Sequence, residues 1–328
     1  MKVKDLGEHG LLERLQPFCL SSAIGDDGAV LVTDPAKSLV VSTDVLVDQV
    51  HFSDRTTTAF DVGWRGAAAN LSDLAAMGAT PLGITVGLSL PGEVAVSWVE
   101  ELYRGMQACL SQYDTSIVGG DICRSQVITI GITALGEVSP HRIIRRSNAR
   151  PGDQIVVTGN HGLSKAGLEL LLDPALGSNL NSAERDSLIA AHQRPLPRLD
   201  VVEVLERLAP DTAMAGMDSS DGLADAIAQI CRYSGVGAEI DLSEIEIFPA
   251  IEKLAGAETA LNWVLYGGED FELVLCLPKA ISVEVVEHLG AKAAIIGKIT
   301  SGSAIDIFNY DHMASSQILN LTKGFQHF

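Results

Sequence analysis

The sequence predicts an α/β (α+β) protein of two domains, and three observations predict it. The chain has 328 residues, about twice an ordinary domain. Short apolar, β-branched runs alternate with stretches at helical spacing along both halves. A polar, basic segment from His141 to Asp153 closes with the turn Arg150-Pro151-Gly152-Asp153 near the middle. These place a first domain at 1–148 and a second at 149–328.

In the first half, residues 29–33 and 38–43 read as buried strands. Asp61 to Met77 has helical spacing and is rich in Ala and Leu, with Gly78 and Pro81 placed to end it. A strand follows at 82–90, then Pro91-Gly92 turns the chain into a helix at 93–112. Strands at 115–118 and 127–138 complete the domain. The second half predicts strands at 154–158, 213–217, 237–242, 271–277 and 293–298. Its predicted helices are 163–172, 184–192, 198–208, 222–233 and 281–289.

Composition excludes several classes. Apolar residues make up 47% and charged residues 20%, a globular balance without a low-complexity tract. The formal net charge of -19 argues against nucleic acid and anionic membrane as partners, since both need clustered Lys and Arg. The 5 cysteines form no C-x-x-C pair, which suggests buried thiols in a reducing compartment. The start lacks a signal-peptide h-region, and no run reaches the ~18 apolar residues of a membrane span, so a cytoplasmic location is expected.

The chemistry is suggested by a set of Asp-bearing segments: Gly25-Asp26-Asp27-Gly28, Ser42-Thr43-Asp44, Asn70-Leu71-Ser72-Asp73, Gly119-Gly120-Asp121, and Asp218-Ser219-Ser220-Asp221-Gly222. Read singly, each is ordinary turn or capping chemistry. Read together, they bring oxygen donors to repeated Gly-rich turns, as a magnesium–phosphate site requires. Asp73 is the hardest to explain structurally, because it interrupts an apolar helix. Gly267-Gly268-Glu269-Asp270-Phe271-Glu272 is either a strand-entry turn or a rim for a cationic group. Arg145 and Arg146 are a solvated pair or balance a polyphosphate, and His51 alone is more often structural than functional.

Common nucleotide and hydrolase motifs fail. Gly159-Asn160-His161-Gly162-Leu163-Ser164-Lys165-Ala166 lacks both the second Gly and the metal-binding hydroxyl of a Walker A loop. The same stretch lacks the last Gly of a nucleophile elbow, and Gly235-Val236-Gly237 is too short for a dinucleotide fingerprint.

In their order, these Asp segments, extended through Leu74-Ala75-Ala76-Met77-Gly78 and joined by Arg150-Pro151-Gly152-Asp153 and Gly267-Gly268-Glu269-Asp270-Phe271, resemble the thiamine-monophosphate kinase family. The likeness spans the chain to Gly324-Phe325-Gln326-His327-Phe328. It implies the two-domain fold of the aminoimidazole ribonucleotide synthetase-like superfamily, with N-terminal sheets pairing into a barrel in a homodimer and ATP between domains. It implies transfer of the γ-phosphate of ATP to thiamine monophosphate, assisted by several Mg2+ ions. By resemblance, Asp27, Ser42, Thr43, Asp44, Asp73, Asp121, Asp218 and Asp221 are magnesium ligands. Gly120, Asp121, Arg146 and Ser220 contact ATP; His51, Glu269 and Phe325 contact thiamine. No catalytic general base is expected, because the acceptor oxygen is already ionised. The competing readings are another ATP-dependent synthetase of the superfamily and a metal-dependent phosphatase.

Overall fold

The computed structural model describes residues 1–23, 27–210, 212–308 and 317–318. The chain divides into two compact units: Met1–Leu74 with Ala79–Val138, and Ala75–Gly78 with Ser139–Phe328.

The first unit is a four-stranded mixed sheet carrying helices on one face. Its strands are β1 (Ser38–Val47), β2 (Thr80–Leu90), β3 (Ile117–Arg124) and β4 (Thr129–Val138), in the order β1-β4-β2-β3. β4 is antiparallel to both β1 and β2, while β2 and β3 are parallel. Parallel neighbours need a crossover, and helix α3 (Val96–Leu110) supplies it. Helix α2 (Ala59–Ala76) is buried around nearly its whole circumference. Helix α1 (Val3–Leu15) precedes the sheet and bends at Gly7, where φ is 74°.

Period-2 alternation sorts β1 into two faces. Ser42, Asp44 and Leu46 turn inward, and Leu39, Val41, Thr43 and Val45 turn outward and are exposed. Cross-strand register puts Thr133 and Thr85 beside Thr43, and Gly131, Gly87 and Asp121 beside Val45, on that same outer face.

In the second unit the described strands form a seven-stranded sheet, ordered β11-β10-β7-β9-β5-β8-β6. These are β5 (Gln154–Val157), β6 (Ala215–Asp218), β7 (Gly237–Asp241), β8 (Leu273–Leu277), β9 (Ala294–Thr300), β10 (Ile305–Phe308) and β11 (Gln317–Ile318). Only the β7–β10 pairing among them is parallel. Helix α7 (Leu223–Ser234) lays Leu223, Ile227 and Ile230 onto a core shared with Ile155, Val274 and Ile296. A second cluster joins α4 (Leu163–Leu172), α5 (Ser182–Gln193), α8 (Pro249–Ala255) and α9 (Ala257–Tyr266) through Leu170, Leu188, Ile251 and Ala260. Helices α6 (Leu199–Leu208) and α10 (Lys279–Leu289) complete the described helices of this unit.

The two-domain α/β architecture expected from sequence is present, with local differences. Residues 29–33 form no strand: Val30 and Val32 are 88% and 90% exposed, because no neighbouring strand pairs with the run. Periodicity also missed α1, whose glycines blur the helical pattern, and the adjacent α8 and α9, which Gly256 separates at φ 77°. The thiols are free, but not all buried. Cys123 is exposed, because it lies on the outer face of edge strand β3. No helix among the described residues is long and apolar enough to cross a membrane.

Candidate active site

The structure corrects the reading of two Asp segments as turns: Ser42-Thr43-Asp44 lies in the middle of β1, and Gly119-Gly120-Asp121 lies inside β3. Asp73 lies within α2, the helix expected for it. Regular elements place these groups, so their separation and facing follow from register.

Between β1 and α2, four residues meet in two pairs. The Ser42 hydroxyl donates to Asp73 Oδ2. The Asp44 backbone N–H donates to Asn70 Oδ1 at 3.3 Å, while Asn70 Nδ2 donates to the Gly66 carbonyl at 2.9 Å. Asn70 and Asp73 lie three apart and therefore share a helix face, the one turned to β1. This explains a carboxylate in an apolar helix: Asp73 is half-buried beside a strand hydroxyl rather than packed in the core.

Two other predicted groups of the first unit lie apart from these. Thr43 faces outward, its hydroxyl 2.9 Å from that of Thr133. Asp27, Gly120 and Asp121 line a cavity of about 280 Å³ together with Tyr103 and Leu15. A Cβ at Gly120 would collide with the Val86 carbonyl, so the close β2–β3 approach requires glycine there. His51 is half-buried and accepts the Val47 N–H on Nδ1 at 3.0 Å, which leaves the ring proton of a neutral imidazole on Nε2.

In the second unit the arrangement differs. Asp218 ends β6 and is buried, Ser220 Oγ donates to Asp218 Oδ1 at 3.2 Å, and Asp221 is exposed just before α7. This loop is bolted to the Gly267–Glu272 segment. Ser219 N–H donates to the Glu272 carbonyl at 2.8 Å, and Glu269 N–H donates to the Ser220 carbonyl at 2.7 Å. A Cβ on Gly268 would collide with that same carbonyl. Arg146 is exposed, with Nη1 donating to Gln229 Oε1 at 2.6 Å. Phe325, Gly25 and Asp26 lie outside the described residues.

Sequence reasoning did not single out the groups that hold this turn. Glu269 and Phe271 both adopt left-handed backbone, at φ 69° and 54°. Such a conformation costs roughly 1–2 kcal/mol per non-glycine residue. Between them, the Asp270 carboxylate accepts the N–H groups of Gly162 at 2.7 Å and Ser164 at 2.8 Å, capping α4 from a distant part of the chain. Loss of solvation raises the Asp270 pKa to about 7; those N–H groups oppose the rise, and the charges of Glu272 and Glu269 add to it. Glu272 accepts from the Thr158 hydroxyl at 2.6 Å and from Arg198 Nη1 at 2.5 Å. Burial raises the Glu272 pKa, and Arg198 offsets that only in part. Burial works against the Arg198 charge, yet Asp200 and Glu272 hold its pKa above the usual arginine value. His161, buried in the same loop, is lowered to about 4 by desolvation.

The donor chemistry of the predicted ligand set is carboxylate and hydroxyl oxygen, with neither thiolate nor imidazole, which suits a hard cation such as Mg2+. Among the described residues, no three His, Cys, Asp or Glu side chains gather closely enough to hold a metal ion by themselves. The predicted ligands therefore fit magnesium by type, in smaller groups on separate elements.

A family model for the N-terminal domain of AIR synthase related proteins matches residues 25–138, and one for their C-terminal domain matches residues 150–308. These matches define the class. Within it, the chain is 49% identical to the thiamine-monophosphate kinase of Synechococcus elongatus, covering 99% of this chain and 98% of that one. It is 37% identical to the Escherichia coli thiamine-monophosphate kinase, with 98% of each chain covered. A solved complex, AaThiL with AMPPCP and TMP, superposes with TM-score 0.75 at 32% identity, over 100% of this chain and 99% of that one. The chain belongs to the thiamine-monophosphate kinase family. Escherichia coli HypE, a hydrogenase maturation protein, shares the fold: TM-score 0.76 at 19% identity, over 95% of this chain and 96% of that one.

Proposed function

We propose that the protein transfers the γ-phosphate of ATP to thiamine monophosphate, yielding thiamine diphosphate and ADP. The observation that carries this reading is full-length likeness to thiamine-monophosphate kinases, at 49% identity to the first of them. The solved relative bound to AMPPCP, a non-transferable ATP analogue, and TMP supports the same pair of substrates.

The chain's own residues suit the reaction. Phosphoryl transfer asks a protein mainly to position its reactants and neutralise charge. Asp27, Ser42, Thr43, Asp44, Asp73, Asp121, Asp218 and Asp221 would hold Mg2+, whose chemistry is to offset repulsion between acceptor phosphate and nucleotide. Gly120, Asp121, Arg146 and Ser220 serve ATP. Glu269, with His51 and Phe325, serves the acceptor, where a carboxylate suits the thiazolium charge. No general base is assigned. The N-terminal domain, 1–148, takes metal, nucleotide and dimer contacts; the C-terminal domain, 149–328, completes the ATP and thiamine site.

The outer sheet face supports a homodimer. Leu39, Val41 and Val45 are 55%, 56% and 49% exposed on the outer face of β1, a stripe broken only by Thr43 and suited to pairing with its copy into a barrel. A cytoplasmic enzyme with neither nucleic acid nor membrane as partner fits the acidic composition.

The test is product chromatography from ATP, magnesium and thiamine monophosphate, omitting each in turn. Thiamine diphosphate and ADP formed together, only from the complete mixture, is the expected result. Loss of phosphate from the acceptor with ATP intact would replace the kinase reading by a phosphatase.

A further inference from the structure

We propose that Asp270 is the positioning residue of the acceptor side: by capping α4 it holds the Gly267–Glu272 turn against the Asp218–Asp221 loop, and so fixes Glu269 relative to the nucleotide-side residues. The proposal rests on the kinase reading above and deepens it.

Three features of the turn converge on this role. The residues on both sides of Asp270 are in left-handed backbone, at φ 69° and 54°, so the segment does not hold this shape by its own preference. Asp270 supplies an external constraint, accepting N–H groups from Gly162 and Ser164 at 2.7 and 2.8 Å. The helix that donates them belongs to the packed α4–α5–α8–α9 cluster, so the anchor is rigid.

The consequence appears one residue away. Glu269 N–H reaches the Ser220 carbonyl at 2.7 Å, and three residues further on the Glu272 carbonyl accepts Ser219 N–H at 2.8 Å. Glu269 on the acceptor side and Ser220 on the nucleotide side are thus joined directly by a backbone hydrogen bond. A Cβ on Gly268 would collide with the Ser220 carbonyl, so this close approach of the two loops requires glycine there. Phosphoryl transfer depends steeply on the placement of donor and acceptor, so an anchor of this register sets how well the acceptor is held. Asp270 touches neither substrate in this account; it acts through Glu269.

The experiment is a double-mutant cycle on the full chain: wild type, Glu269→Gln, Asp270→Asn and the double variant, with kcat and both KM values measured for each. Asp270→Asn should raise KM for thiamine monophosphate about tenfold and leave KM for ATP within about twofold. In the double variant the acceptor KM should be no worse than in Glu269→Gln alone, because both changes remove one interaction. Additive losses, or KM values for both substrates rising together, would overturn the proposal. So would a fall in kcat alone, which is what loss of folded protein produces. If circular dichroism shows Asp270→Asn unfolded, Gly268→Ala takes its place, since it forces the same register apart without touching α4. The same acceptor-side pattern is then expected, and a change confined to ATP overturns the idea. A wild type that forms no thiamine diphosphate removes the kinase reading and this proposal with it; an active wild type with additive losses removes the proposal alone.

Discussion

The two units place functional groups by opposite means. In the first, Ser42, Asp44 and Asp73 sit inside a strand and a helix, and ordinary register brings them together. In the second, Asp218, Ser220, Asp221 and Glu269 sit at or beyond strand ends, in loops whose shape is imposed from outside by a cap, an ion pair and close backbone contacts. Groups on regular elements inherit their precision from the fold. Groups in turns need dedicated anchors, and the anchors add buried charge and backbone strain.

The contrast is tested most severely by Asp73→Asn. On a regular helix an isosteric change should leave folding nearly intact, while transfer falls by roughly 10²–10³-fold or more. Circular dichroism and product formation measured together check this; an unfolded variant would return Asp73 to a structural role.

Arg198→Ala probes the opposite unit. It leaves Glu272, whose side chain is 17% exposed, without its cation, and should cost roughly 3 kcal/mol by denaturant unfolding. A cost near zero would mean that the turn holds itself and the contrast fails.

Acid separates two groups of the second unit by sign. The folded pKa of His161 is depressed to about 4 from 6.5, so the unfolded state takes up a proton the folded state refuses. Stability should therefore fall between about pH 6.5 and 4, by on the order of 3 kcal/mol from this group. His161→Gln should remove that part of the slope. Asp270 works the other way: its folded pKa is raised from 3.8 to about 7, so the folded state binds the proton more tightly. Its contribution improves as pH falls from about 7 towards 3.8, and Asp270→Asn should lose that improvement in melting curves taken across the range.

The smallest effect on the single chain is expected at Val41→Asp. The residue is 56% exposed on the outer face of β1, so its change should alter stability of the isolated unit by less than about 0.5 kcal/mol. It should nevertheless shift the protein from dimer to monomer in sedimentation; an unchanged dimer would place the interface elsewhere.

The fold was largely legible because its strands and helices repeat at their own periods: α4 and most strands fall within a few residues of the expected positions. Where the signal failed, the reason is local. The run 29–33 has strand composition without a partner, and α8 and α9 hide behind Gly256. The kind of chemistry was legible too, because oxygen donors are recognised by residue type and by their order. Facing was not read: Thr43 and Asp44 are neighbours in sequence and stand on opposite sides of a sheet.

The sequence by itself determined the alternation of elements, the acidic character and the oxygen-rich donor set, since each depends on residue identity and near spacing alone. Tertiary structure alone decided that Ser42 meets Asp73 and that Asp270 caps a helix 106 residues earlier. It also decided that Arg198 joins Glu272 across 74 residues. Such pairings arise from strand register and packing between distant segments, which leave no period in the chain, so a local pattern cannot announce them.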